Sequence, residues 1–144
     1  MAMNLCHRVF CSSHRYFKAV EDTLLPWALA DVDLGDNLLE IGPGYGANIR
    51  VLIDRAPHYT AVEIDQTGLQ NRLFAEPFRV LRSDGVFASS DSASSIPFQV
   101  LQFRDICNPV SPGDLPNRLR STGFDDVDIE SNGRRLRWCA TKAG

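Results

Sequence analysis

The chain has 144 residues, enough for one hydrophobic core but short for a domain that must hold both a cofactor and a substrate. Its 44% hydrophobic and 23% charged content is that of an ordinary globular protein. A net charge of −3 gives no electrostatic footprint for nucleic acid or an anionic membrane, and no apolar run reaches the roughly 20 residues of a membrane-spanning helix.

The first ten residues lack the apolar segment and small-residue cleavage site of a secretory signal. Cys6, Cys11, Cys107 and Cys139 form no C-x-x-C pair, and no histidine stands beside them at zinc-ligand spacing. Reduced, mostly buried thiols in a cytoplasmic protein without a metal site are therefore expected.

From a cap at Ser12 or Ser13, Tyr16/Phe17, Val20 and Leu24 recur at helical spacing, and Pro26 bends or restarts the segment. Val32 to Asp36 reads as a loop and Asn37 to Ile41 as a buried strand ending at Gly42. Ala47 to Arg55 is helical in pattern, with Ile49, Leu52 and Ile53 on one face, and Tyr59 to Ile64 forms a second strand. A helix follows near Gly68 to Leu81 despite Pro77, then a turn at Ser83 to Gly85 and a strand from Val86 to Ser89.

Ser90 to Ser95 is a polar loop, and Ile96 to Ile106 fits a short helix. Asp114 caps a helix to Ser121, which Gly123 ends. Val127 to Glu130 and Leu136 to Thr141 then pair as a hairpin around Ser131-Asn132-Gly133. The arginines of Arg134-Arg135-Leu136-Arg137 read as a solvated strand edge rather than a phosphate site. Strand-helix alternation with a terminal hairpin is the pattern of a three-layer α/β sheet.

The segment Leu38-Leu39-Glu40-Ile41-Gly42-Pro43-Gly44-Tyr45-Gly46 carries the chemistry. A buried strand ends in three alternating glycines, which let the backbone turn sharply and approach a ligand closely. The following helix would present free N–H groups and its positive dipole end. Glu63, at the tip of the second strand, stands where such folds hydrogen-bond ribose hydroxyls. Gly42-x-Gly44-x-x-Ala47 also satisfies the fingerprint of a nicotinamide or flavin dinucleotide. Glu40 argues against that ligand, because a desolvated carboxylate two residues before the first glycine must organise the loop or meet a cationic group. S-adenosylmethionine, with an amino-acid ammonium, provides one.

Glu40-Ile41-Gly42-Pro43-Gly44-Tyr45-Gly46 resembles the first motif of class I S-adenosylmethionine-dependent methyltransferases, in the style of the small-molecule type 11 domain. Ala61-Val62-Glu63-Ile64-Asp65 is similar to the family's acidic second-strand motif, and Phe78 to Phe87 to its later helix-turn-strand. Leu115 to Phe124, with Gly123-Phe124, is similar to its last helix and exit. The resemblance implies a Rossmann-like three-layer sandwich, a mostly parallel sheet with a C-terminal antiparallel hairpin. It also implies an S-adenosylmethionine cofactor held by Glu40, Gly42, Gly44, Tyr45, Gly46 and Glu63, and a small-molecule methyl acceptor.

Gly85 follows Asp65 by only 20 positions, where the family has two further helix-strand units. The chain thus looks like an internally shortened methyltransferase. It is expected to form a single methyltransferase-like domain over 1–144, with a helical lid over 1–35 and a core over 36–144. A five-stranded sheet is expected, the Val86 strand pairing with the Leu38 strand. Bare core left by the missing units opens the alternatives of a homodimer or an inactive remnant.

Methyl transfer relies mainly on alignment, and a base is needed only if the acceptor must lose a proton. His7, His14 and Tyr16 sit in the lid and read as packing or surface, and His58 is remote from the glycine loop. No catalytic residue is assigned.

Overall fold

The computed structural model describes residues 5–62, 70–93 and 111–144. The chain divides into two compact units, Met1–Gln66 and Thr67–Gly144.

In the first unit, helices α1 (Leu5–Cys11) and α2 (His14–Ala19) lead into a π-helical turn (Val20–Leu24) and the one-turn helix α3 (Leu25–Ala28). Ser13 caps α2, its Oγ accepting from the Tyr16 N–H at 3.2 Å. Pro26 stands in the first turn of α3, directly after the π-helical turn, where its missing N–H leaves out one bond of a run that is helical from His14 to Ala28. Strands β1 (Asn37–Ile41) and β2 (His58–Val62) pair in parallel, with Leu38 opposite Tyr59 and Glu40 opposite Ala61. The helical segment and this sheet share a core of Val20, Leu25, Ala47 and Leu52, joined by Tyr16, Phe17, Leu38 and Tyr59.

The connection between these strands is less helical than its pattern implies. Only α4 (Ile49–Leu52) forms, flanked by turns that include Val51 N–H to Asn48 O at 2.9 Å and Arg55 N–H to Leu52 O at 3.0 Å. Ile53, expected on the buried face, is 53% exposed, and Ala47 and Val51 pack inward instead.

In the second unit, α5 (Gln70–Val80) contains Pro77 and α6 (Leu115–Thr122) ends at Gly123. β3 (Val86–Ser92), β4 (Phe124–Ser131) and β5 (Arg135–Lys142) form an antiparallel sheet in the order β3-β5-β4. The hairpin turn is tied by Asn132 Oδ1, which accepts from the Arg134 and Arg135 N–H groups. Along β5, Leu136, Trp138 and Ala140 are buried with Phe74, Leu115, Leu119 and Phe124.

Three expectations are corrected here. The Val86 strand does not pair with the Leu38 strand: among the described residues β1 pairs with β2 and β3 with β5, in separate sheets. β3 pairs with β5 instead and adds its Phe87 side chain to the core beside that strand. Phe87 of β3 stacks on Phe124 at 5.6 Å and meets Trp138 and Phe74 edge-on, so β3 buries its apolar side chain within its own unit. That pairing runs through Ser92, so Ser90 to Ser92 are strand rather than loop, ladder bonding overriding weak propensity. It also makes β5 the central strand, so its arginines do not lie on an edge. Arg137 instead pairs with Glu130 across the hairpin at 2.7 Å.

The cysteines differ too: Cys6 is exposed, Cys11 and Cys139 are half-buried, and all three are thiols rather than disulfides. Cys107 and the expected Ile96 to Ile106 helix lie outside the described residues. No helix among the described residues is long and apolar enough to cross a membrane.

Candidate functional site

The turn after β1 depends on glycine at three places. Gly42, Gly44 and Gly46 have φ of 73°, 53° and 74°, in the left-handed region that L side chains rarely adopt. A Cβ at Gly42 or Gly44 would meet no atom within 4 Å, so both face open space. The chain leaves the sheet through Gly42 N–H to Val62 O at 2.8 Å and tightens through Gly46 N–H to Pro43 O at 2.9 Å. The expected helix-dipole contribution is small, because α4 is one turn long and a macrodipole needs aligned peptides to sum.

Glu40 is the organising side chain. Its Oε1 accepts from Asn48 Nδ2 at 2.8 Å, and its Oε2 accepts from the Tyr59 hydroxyl. The parallel register explains the second contact. Tyr59 lies two residues before Ala61, the partner of Glu40, and so projects from the same face on the diagonal. Its ring packs into the core of the unit while its hydroxyl reaches the carboxylate. Burial, the hydrogen bond to Glu40 and the carboxylate's charge together push the Tyr59 phenol well above its usual range. Asn48 immediately precedes α4 and is a favoured cap residue, yet its side chain makes no cap bond and is turned to Glu40.

Of the residues expected at the site, Glu40, Gly42, Gly44, Tyr45 and Gly46 come together in this turn, with Tyr45 46% exposed. Glu63 and Asp65 lie outside the described residues. Asn48 and Tyr59 are the additions. The signals that point to them are an asparagine at a helix start and a tyrosine sharing strand parity with the partner of Glu40.

Tyr16 packs in the core and against Phe10, with ring centroids 5.3 Å apart. His14 is exposed at the start of α2. His58 is exposed at the first residue of β2, the end opposite Val62, whose carbonyl meets Gly42.

The open space before Gly42 and Gly44 and the anionic Glu40 fit a nucleoside ligand that carries a cationic amine. No protein-family model matches the chain. It is 42% identical over 55 residues to the ribosomal RNA small subunit methyltransferase A of Acidithiobacillus ferrooxidans, covering 36% of this chain and 21% of that relative.

Among solved structures, phosphoethanolamine N-methyltransferase 2 of Haemonchus contortus, in complex with phosphomonomethylethanolamine and S-adenosylhomocysteine, is similar at 11% identity. The TM-score is 0.63, over 100% of this chain and 62% of that one. A chain of the Haloferax volcanii complex between the Trm112 methyltransferase activator and a methyltransferase is similar at 13% identity. There the TM-score is 0.62, over 100% of both chains. These likenesses show that the chain has the Rossmann-like fold of S-adenosylmethionine-dependent methyltransferases.

Proposed function

We propose that the chain binds S-adenosylmethionine at the Gly42–Gly46 turn and transfers its methyl group to a small-molecule acceptor. The observation that carries this reading is the left-handed glycine turn closed by a half-buried carboxylate. When bound, S-adenosylmethionine supplies an electrophilic sulfonium methyl group. Gly42 and Gly44 leave room for the ligand, Glu40 meets its ammonium, Tyr45 covers the cofactor, and Glu63 takes the ribose hydroxyls. Any larger residue at Gly42 or Gly44 would fill that room and strain the backbone.

Substituting Glu40→Gln tests the reading. It keeps the shape and removes the charge, so affinity for S-adenosylhomocysteine falls at least tenfold while thermal melting moves little. Equal binding by the variant and the wild type would count against it, as would energy transfer from Trp27 or Trp138 to bound NADH.

A second reading rests on a different observation. The β1-β2 face opposite Glu40 carries Leu39 and Val62, 43% and 47% exposed. A shortened, inactive methyltransferase-like remnant that self-associates through this face would show concentration-dependent light scattering and no ligand binding.

A further inference from the structure

Asn48 and Tyr59 are neutral donors, so they hold the Glu40 carboxylate without cancelling its charge. Each takes one oxygen, which fixes the plane of the group and leaves a lone pair on each oxygen for a further donor. The two donors come from different places. Asn48 follows the glycine turn that Glu40 precedes, so their bond ties the ends of the turn together. Tyr59 comes from the neighbouring strand and is anchored by its ring in the core.

We infer that Asn48 and Tyr59 are positioning residues, which together aim the Glu40 carboxylate at the ammonium of the ligand and set the glycine turn to the same frame. The inference rests on the cofactor reading above. It assigns the pair a role in selecting an amino-acid-bearing nucleoside over a plain one. Asn48 has helical backbone angles and makes no cap bond, so its side-chain amide is directed to Glu40 and not to the start of α4.

The test is calorimetric titration of the full chain with two probes, S-adenosylhomocysteine and methylthioadenosine. The second keeps the nucleoside and thioether but lacks the amino-acid end. Tyr59→Phe and Asn48→Ala should each weaken S-adenosylhomocysteine binding roughly ten- to 150-fold, the range for losing a hydrogen bond to a charged group. Methylthioadenosine binding should stay within about twofold of the wild type. In a Glu40→Gln background neither substitution should weaken binding further.

Equal losses for both probes would mean that the pair only supports the fold, and unchanged affinities would mean that it does not act on Glu40. Either result overturns the inference while leaving the cofactor reading standing. A cooperatively melting wild type that binds neither probe would overturn both. Asn48 is half-buried in a turn, so its variant keeps the test open even where Tyr59→Phe fails to fold.

Discussion

Gly123 lies against the ring of Phe78: a Cβ built on Gly123 would stand 2.6 Å from Phe78 Cζ. The same glycine ends α6 with φ of 112°, and its N–H bonds to the Arg120 and Leu119 carbonyls. Strain and collision therefore act together at one position. Gly123→Ala should cost about 2–4 kcal/mol, seen as a lower urea midpoint with an unchanged slope. An unaltered midpoint would show that the helix end and the Phe78 ring adjust freely.

Burial predicts a contrast between two leucines. Leu119 is fully buried in the core of the second unit, and Leu5 is 72% exposed on α1. Truncation of Leu119 to alanine should cost about 2–5 kcal/mol through lost transfer energy and a cavity. Leu5→Ala should stay within about 0.5 kcal/mol. Chemical denaturation of both variants measures the difference, and similar costs would contradict the assigned core.

Tyr59 predicts an alkaline limit. Its phenol is held above the ordinary tyrosine value in the fold, chiefly by burial and then by Glu40. A raised folded pKa contributes stability that is complete below the unfolded value, near ~10, and is lost as pH rises towards the folded value. The wild-type urea midpoint should therefore fall more steeply than that of Tyr59→Phe above pH ~10. Every other residue is the same in both proteins, so the comparison isolates Tyr59. Parallel curves would contradict the coupling.

What could be read from the sequence was local. The strand into Gly42, the cap at Ser13, the stop at Gly123 and the hairpin at Asn132-Gly133 each rest on a few adjacent residues. The pairing of β3 with β5 comes with Phe87 meeting Phe124 and Trp138, contacts between residues far apart in the chain. Tyr59 was hidden for a similar reason, since its role appears only once Glu40 stands opposite Ala61. The short α4 reflects turns around Asn48 and Leu52 that helical spacing alone does not reveal.

The central claim is that the glycine turn and Glu40 still form a methyl-donor site in this short chain. Calorimetric titration of the folded wild type with S-adenosylhomocysteine tests it most directly. Saturable binding at one ligand per chain is the predicted result. Absence of binding heat from a protein that melts cooperatively would contradict the claim and leave the turn as scaffold alone.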